Sequence, residues 1–281
     1  MNFFDLHCDT AFECYKNNEE FYVNSLAISG EAADFKKWKQ VFAVWIRDDH
    51  PEPFEFYQTV LTDIKQKLLK KPSFLTEFFS VEGGAVLEDD SDRLYILKND
   101  QIKLLTLCWN GENLIAGGSK TEKGLTAFGK EVVSKMNRLK MACDLSHLNE
   151  KSFYAALEVA DFPLASHSCS RFVFNHQRNL YDDQIKQLSQ KNGIIGLCFY
   201  PEFLGENVFE AIYRNIFHLL DMGLENHIAI GSDFDGGQMD KTLNSIKLVP
   251  NLYTFLQTKG LKEDLLNKIF YENADNFIAK L

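Results

Sequence analysis

The sequence is poor in proline and lacks the cysteine patterns of disulfide-stabilised proteins and of thiolate zinc sites. It has 6 prolines in 281 residues, and its 6 cysteines include no Cys-x-x-Cys pair. Neither a disulfide framework nor a thiolate zinc site is therefore indicated, and we expect reduced, buried thiols. No linker rich in proline, glycine or serine divides the chain, so we expect one domain over residues 1–281.

An excess of basic charge and long apolar runs are also absent. The 40 acidic residues outnumber the 30 basic ones, and the formal charge of −10 would repel phosphate backbones and anionic lipids. No apolar stretch is long enough to span a bilayer, and neither end has the pattern of a signal peptide or lipid anchor. We therefore expect a cytoplasmic protein with no nucleic-acid partner and no membrane anchor.

Aromatic residues and short apolar runs, by contrast, are plentiful. With 24 Phe and 10 Tyr in a sequence that is 45% hydrophobic, the chain can fill a sizeable core. Short, nearly continuous apolar segments alternate with longer segments of helical periodicity, as in parallel α/β folds. We predict eight strands, over residues 3–9, 40–46, 77–81, 102–109, 141–147, 163–167, 193–200 and 228–233.

Amphipathic helices are predicted between these strands. Apolar residues recur at helical spacing over residues 54–69 and 209–220, and residues 252–281 are typical of two or three short closing helices. Eight alternating units favour closure into a (β/α)8 TIM barrel of the α/β class. An open doubly wound sheet is the competing arrangement, since it is built from the same alternation of strands and helices.

Side chains that commonly bind metals fall at the predicted carboxyl ends of the strands. In a (β/α)8 barrel these ends meet on one face, where active sites are built. Six polar side chains should therefore converge there: His7, Asp9, Glu82, His147, His167 and Asp233.

The first strand contributes two of these side chains. Side chains two residues apart on a strand point the same way, so Asp5, His7 and Asp9 should share one side of it and Cys8 should lie on the other. A single His-x-Asp is weak evidence for a metal site, because a hydrogen-bonded core pair has the same pattern.

The other strand ends also allow ordinary structural interpretations. Glu82 precedes Gly83 and Gly84, which permit a sharp turn close to a ligand, but its carboxylate could instead cap a helix. His147 and His167 could each be a satisfied structural histidine. Two histidines on successive strands, opposite a His-x-Asp and a Glu, favour a metal site.

A carboxylate has two oxygens, so Glu82 could bridge two metal ions about 3.5–4 Å apart. His7, Asp9 and Glu82 would then hold one ion, and Glu82, His147 and His167 the other. Each ion would keep an open position for water, as catalytic zinc does. Nitrogen and carboxylate ligands without thiolate suit zinc, with manganese or cobalt as substitutes, so we predict two zinc ions per chain.

Seven ordered blocks of the sequence resemble the signature of the membrane (renal) dipeptidase family of the amidohydrolase superfamily. They are residues 5–9 (DLHCD), 81–84 (VEGG), 105–110 (LTLCWN), 144–147 (DLSH), 166–168 (SHS), 176–179 (HQRN) and 231–236 (GSDFDG). The resemblance implies a (β/α)8 barrel with a binuclear zinc site that hydrolyses the peptide bond of free dipeptides through a metal-activated bridging water. It also implies a homodimer as one possible oligomeric state.

The same resemblance implies individual roles. His7, Asp9, Glu82, His147 and His167 would be the metal ligands, with Glu82 bridging. Arg178 matches the position that binds the substrate's C-terminal carboxylate, and Asp233 the position of the acid/base that also meets the free amine. The planar donor fork of an arginine suits a carboxylate, and nearby cations would keep an aspartate ionised.

Alternatives remain open for both of these residues. Arg178 could form a surface ion pair with Asp182 or Asp183, and Asp235 competes with Asp233 because both should point inward.

Trp109 departs from the family pattern. Some members have a histidine there, thought to polarise the scissile carbonyl, whereas an indole donates one hydrogen bond without positive charge. We therefore retain two rival functions: a binuclear amidohydrolase acting on another small amide, such as an N-acyl amino acid, and a non-catalytic binding protein on the same scaffold. Residues 117–121 lack full P-loop spacing and are expected to form a loop over the mouth of the site.

Overall fold

Eight short parallel strands form the centre of the structure, a computed structural model that describes residues 1–281. The strands are β1 (Asn2–Cys8), β2 (Lys37–Trp45), β3 (Leu75–Glu82), β4 (Ile102–Thr106), β5 (Ala142–Asp144), β6 (Pro163–Leu164), β7 (Ile195–Leu197) and β8 (Ile228–Ile230). All eight predicted strands are therefore confirmed, although their predicted ends are not.

Helices follow the strands around the outside. They are α1 (Thr10–Lys16), α2 (Pro53–Lys67), α3 (Arg93–Asn99), α4 (Ala127–Arg138), α5 (Glu150–Val159), α6 (Asp182–Gln190), α7 (Pro201–Leu204), α8 (Val208–Asp221), α9 (Val249–Thr258), α10 (Glu263–Asn267) and α11 (Asn273–Ile278). The amphipathic segments predicted over residues 54–69 and 209–220 correspond to α2, with the 3₁₀ turn Leu68–Lys70, and to α8. None of the helices is long and apolar enough to cross a membrane.

The strands follow one another around a closed barrel. Their order in the sheet is β6-β5-β4-β3-β2-β1-β8-β7, so β1 lies beside β8. The two ends of this sheet meet where the Ala165 amide donates to the Ile194 carbonyl (3.0 Å) and the Gly196 amide donates to the Ala165 carbonyl (2.8 Å). This topology confirms the TIM barrel and excludes the open doubly wound sheet. The assignment of residues 1–281 to one domain stays a prediction.

Several strands end earlier than predicted. β5 ends at Asp144 rather than at His147, and β8 ends at Ile230 rather than at Asp233. His147 has φ +71° and Asp233 has φ +62°, and extended strands do not contain this left-handed conformation. The chain therefore leaves the sheet before it reaches either polar side chain.

Two apolar clusters hold the barrel together. The larger one lies between the strands and the surrounding helices, while the smaller one fills the barrel near the amino ends of its strands. In the smaller cluster Phe4 and Leu6 of β1 pack with Phe277 and Ile278 of α11. The C-terminal helices therefore close this end of the barrel, as the sequence predicts.

Candidate metal centre

A bulge in β1 determines which of its side chains reach the site. Asp5 pairs with Gln40 and Cys8 pairs with Phe42, so three residues of β1 span two residues of β2. Asp5 and Cys8 consequently face the same side, and the strict alternation expected from the sequence is wrong here. The Asp5 carboxylate accepts hydrogen bonds from Gln40 (2.9 Å) and from the Ser232 hydroxyl (2.6 Å), outside the metal-ligand cluster.

Glu82, the last residue of β3, lies at the centre of that cluster. One carboxylate oxygen is 3.5 Å from His7 Nε2, and the other is 2.7 Å from His147 Nε2 and 3.6 Å from His167 Nε2. The next residue, Gly83, has φ +125°, and a Cβ there would collide with the Ile46 carbonyl. Glycine at this position therefore allows the sharp turn that follows the carboxylate.

His147 and His167 turn the same ring nitrogen toward Glu82. Their Nε2 atoms are 2.8 Å apart, and each Nδ1 has a partner on its other side. His147 Nδ1 lies 3.0 Å from the Asn110 amide oxygen, and His167 Nδ1 lies 2.8 Å from the Ser166 hydroxyl. The Asn110 oxygen can only accept, so the tautomer of His147 that bonds it carries its proton on Nδ1 and leaves Nε2 free as a ligand.

Asp144 extends the contacts of His167. Its carboxylate accepts hydrogen bonds from the hydroxyls of Ser166 (2.6 Å) and Thr106 (2.7 Å), and all these side chains are buried. Since the Ser166 hydroxyl donates to Asp144, its oxygen is left to accept from His167 Nδ1. Both histidines thus have Nδ1 anchored away from the cluster.

The cluster packs ionisable side chains together in a buried place, where burial raises the pKa of Asp9 well above the usual range. Burial opposes ionisation of Glu82, but the charge of His7 holds its pKa well below the usual range. Burial likewise opposes charge on His7, yet Glu82 and Asp9 keep its pKa well above the usual value. Burial, reinforced by Arg178, lowers the pKa of His147 to about 4, so this histidine is neutral near pH 7. His7 is then the one protonated histidine facing Glu82 and Asp9.

These side chains have the character of metal ligands. His7 Nε2 and one oxygen of Asp9 are buried without hydrogen-bond partners, which is costly unless a ligand completes the site. Potential ligand atoms converge in two groups, one of His7, Glu82 and His167 and one of His7, Asp9 and Asp233. The donor set and the unpartnered buried atoms therefore fit metal ions bound between His7 and Glu82 and their neighbours.

Asp233 and Asp235 differ in their surroundings. Asp233 Oδ1 is 3.8 Å from His7 Nε2, and burial raises the pKa of this carboxyl. Asp235 instead accepts hydrogen bonds from the Thr10 hydroxyl and the Ala27 amide, both at 2.6 Å. Of the two, Asp233 alone is directed at the cluster.

Arg178 is buried beside the same cavity. Its side chain is 5% exposed, its Nε has no hydrogen-bond partner, and its Nη2 has one long contact, 3.4 Å, with the His167 carbonyl. The surface ion pair considered from the sequence is wrong, because Asp182 bonds to His218 and Asp183 to Tyr154. The guanidinium therefore keeps donors free for a ligand.

A cavity of about 420 Å³ joins the cluster to Arg178 and to solvent. Asp9, Glu82, His147 and Asp233 line it, as does Lys120 from the loop predicted to lie over its mouth. Of the remaining histidines, His50, His218 and His227 lie outside this cavity. His176 lines the cavity, and its Nδ1 accepts a hydrogen bond from the backbone amide of Arg178.

A family model described as membrane dipeptidase (peptidase family M19) matches residues 4–278. The chain belongs to the membrane dipeptidase family. The family resemblance predicted from the seven sequence blocks is thereby confirmed, and the metallopeptidase character of this family agrees with the donor set of the cluster.

One curated relative of this chain is an uncharacterized dipeptidase of Schizosaccharomyces pombe. It is 34% identical over 171 residues, a match that covers 57% of this chain and 42% of the yeast protein. The match thus spans less than half the length of that relative.

Solved structures share the complete fold. Dipeptidase AC, a metallopeptidase of family M19, has a TM-score of 0.87 at 24% identity, with 100% of this chain and 98% of that chain covered. A metallopeptidase from Rhodobacter sphaeroides, solved with a phosphinate mimic of the dipeptide L-Ala-D-Ala, has a TM-score of 0.86 at 23% identity, with 100% and 99% covered. This likeness confirms the barrel fold.

Some side chains at this site were not identified as functional candidates from the sequence alone. Phe12 and Trp45 line the cavity, and Asn110, Asp144 and Ser166 anchor the histidines. Trp45 ends β2, so the strand-end rule that identified Glu82 would have found it had aromatic residues been considered. The three anchors lie within three of the seven sequence blocks, but their contacts depend on the register of the barrel strands.

Proposed function

We propose that this protein is a metal-dependent dipeptidase that hydrolyses the peptide bond of free dipeptides. The observation that carries the proposal is the buried Arg178 guanidinium, which has donors to spare in the cavity that also holds the histidine–carboxylate cluster. A guanidinium fork at that place suits the C-terminal carboxylate of a short substrate. Membership in the membrane dipeptidase family and the dipeptide mimic bound to the Rhodobacter sphaeroides enzyme support it.

We propose two zinc ions as the cofactors. His7, Asp9 and Glu82 would hold one ion, and Glu82, His147 and His167 the other, with Glu82 bridging. The two oxygens of Glu82 already face different histidines, which supports this division. When bound, such a pair supplies an activated water and an electrophile for the scissile carbonyl.

The chain's own residues would then position the substrate and move the proton. Arg178 would bind the C-terminal carboxylate and so restrict substrates to short peptides with a free C-terminus. Asp233 would accept the proton of the attacking water and return it to the leaving amine. Trp109 lines the cavity beside His147, with ring centroids 6.2 Å apart, and could donate its indole N–H to the substrate but supplies no positive charge.

The proposal is tested with zinc-reconstituted protein and a panel of L,L and L,D dipeptides, with N-acylated and C-amidated analogues as matched controls. We expect hydrolysis of free dipeptides and at least a tenfold loss, on the order of that for one unpaired buried charge, when the carboxylate is amidated. Equal rates on amidated and free substrates would contradict the role of Arg178. Preference for N-acyl amino acids would favour the broader amidohydrolase, and zinc binding without hydrolysis would favour a binding protein.

We further propose a cytoplasmic location and a homodimer. All six cysteines are buried and unpaired, which supports a reducing compartment. Fractionation of the source cells tests the location. Light scattering on the eluting protein tests the oligomeric state.

A further inference from the structure

Three aromatic rings form one wall of the cavity. Phe12 from α1, Trp45 at the end of β2 and Trp109 after β4 all line it. The rings contact one another in sequence, with centroids 5.0 Å apart for Phe12 and Trp45 and 5.2 Å for Trp45 and Trp109. Both contacts are edge-to-face, as in packed cores, yet each ring is partly exposed to the cavity.

The three tryptophans of the chain are not equivalent. Trp38 is fully buried, and its indole N–H donates to the Gln40 amide oxygen at 3.1 Å. Neither Trp45 nor Trp109 makes a hydrogen bond through its indole N–H. Half-buried tryptophan faces with free N–H groups beside a polar site are typical of surfaces that receive a ligand.

The aromatic wall lies across the barrel mouth from Arg178. Arg178 belongs to the loop between β6 and α6, and in a closed ring of eight strands β2 is four strands away from β6 in either direction. Trp45 therefore faces the guanidinium across the mouth, with Glu82 and the histidines between them. His176, Gln177 and Glu202 line the side of the cavity near Arg178, and so do the rings of Tyr200 and Phe203; the Phe203 centroid is 5.2 Å from the guanidinium carbon.

This arrangement would orient a bound dipeptide. With its carboxylate at Arg178 and its peptide carbonyl above the cluster, the amino-terminal residue extends toward β8, β1 and β2. In that pose its amine would meet the carboxylate of Asp233, while its side chain would be directed at Phe12 and Trp45. An apolar side chain in that position would displace water from the aromatic faces.

We propose that Phe12, Trp45 and Trp109 form a specificity subsite for a large apolar side chain on the N-terminal residue of the dipeptide. This inference rests on the proposed dipeptidase function and adds a substrate class to it. We expect the wild-type enzyme to prefer Phe-Ala to Ala-Ala and to the reversed peptide Ala-Phe by about tenfold or more in kcat/KM, the size of effect that apolar pockets give.

The test compares these three peptides in zinc-loaded wild type, Trp45→Ala and Phe12→Ala. Phe172→Ala is the matched control, because this ring is 74% exposed and outside the cavity. Both cavity variants should lower the ratio of kcat/KM for Phe-Ala to that for Ala-Ala by about tenfold, whereas Phe172→Ala should keep the wild-type ratio and the wild-type rate on Ala-Ala. Thermal melting verifies that each variant is folded, and calorimetric binding of phosphinate analogues of Phe-Ala and Ala-Ala gives a readout independent of turnover.

The outcomes separate the subsite from the dipeptidase function. Hydrolysis of all three peptides without preference, or an equal loss on Phe-Ala and Ala-Ala in folded variants, overturns the subsite alone. Preference for Ala-Phe overturns the orientation. If zinc-loaded wild type cleaves none of the peptides, the dipeptidase proposal fails and the subsite with it. Loss of selectivity in Phe12→Ala alone still supports the subsite should Trp45→Ala not fold.

Discussion

The two ends of the barrel use the same eight strands in opposite ways. At the amino ends, Phe4 stacks on Phe78 with ring centroids 5.5 Å apart and packs with the C-terminal helices, and the Lys39 ammonium over its ring is paired with Asp275. At the carboxyl ends, Asp9 and Glu82 are buried beside the half-buried Asp233, and polar atoms are left without partners. The amino end is therefore stabilised by apolar packing. The carboxyl end holds buried polar and charged groups that lower the stability of the fold unless a ligand binds them.

This contrast has an energetic consequence. An unpaired polar atom in a buried site costs about 1–3 kcal/mol, and more when it is charged. The apolar end supplies the opposite contribution, since burying a large side chain is worth about 1.5–3 kcal/mol. Substitutions at the two ends should therefore separate activity from stability.

The largest effect is expected at the polar end, for Glu82→Gln. The amide keeps the shape of the side chain but cannot bridge two cations, so zinc content should fall and dipeptide hydrolysis should drop by at least about 10³-fold. Metal analysis and steady-state kinetics measure these changes. The metal-free variant should melt close to metal-free wild type. Full activity with two bound ions would refute the bridging role.

The opposite pattern is expected at the apolar end, for Phe4→Ala. Phe4 is fully buried, so its truncation should lower the free energy of unfolding by about 3–5 kcal/mol. The kcat of the folded, zinc-loaded variant should be unchanged, because Phe4 does not line the cavity. Urea unfolding measures the loss, with exposed Phe172→Ala as the control. A comparable fall in kcat would mean that the two ends are coupled.

A change at Arg178 separates activity from stability within the polar end itself, because this side chain is buried yet makes few hydrogen bonds to the rest of the protein. Arg178→Lys keeps a positive charge but removes the planar fork, so kcat/KM for free dipeptides should fall by about a hundredfold. C-amidated dipeptides should be hydrolysed at nearly the wild-type rate, since they offer no carboxylate. Equal losses on both substrate types would indicate a structural role for Arg178.

The apolar end of the barrel was largely predictable from the sequence, whereas the polar end was predictable only in part. Strands such as residues 3–9 and 40–46 follow from apolar runs, because burial on both faces requires them. The five predicted ligands also converge, since parallel strands end on one face. Their roles as ligands stay predictions.

What the sequence could not predict depends on local departures from regular structure. The bulge in β1 turns Asp5 away from the site, and no periodicity rule indicates where a strand gains a residue. Likewise, no periodicity rule indicates the left-handed conformations of His147 and Asp233, which follow the early ends of β5 and β8. The cavity position of Trp45 requires the relative placement of β2 and β6, which is a property of barrel closure.

The smallest effect is expected for Ser166→Ala, which removes the link between Asp144 and His167. Without the hydroxyl, His167 Nδ1 loses its acceptor, and the proton can move to Nε2, the nitrogen that faces Glu82. Zinc affinity should therefore fall by about 10–100-fold, as when other hydrogen-bond partners of metal-binding histidines are removed. Competition with a chromogenic chelator measures this affinity.

Ser80→Ala is the matched control for that change. Ser80 of β3 is also a buried serine, 3% exposed, but its hydroxyl has no hydrogen-bond partner. Its removal should leave zinc affinity within about twofold, because a neutral hydroxyl without a partner contributes little to the site. Equal zinc affinity in the two variants would mean that the Asp144–Ser166 pair stabilises the barrel and does not orient the His167 imidazole. A loss confined to Ser166→Ala would show that the polar end depends on hydrogen bonds beyond its ligands, which the apolar end does not need.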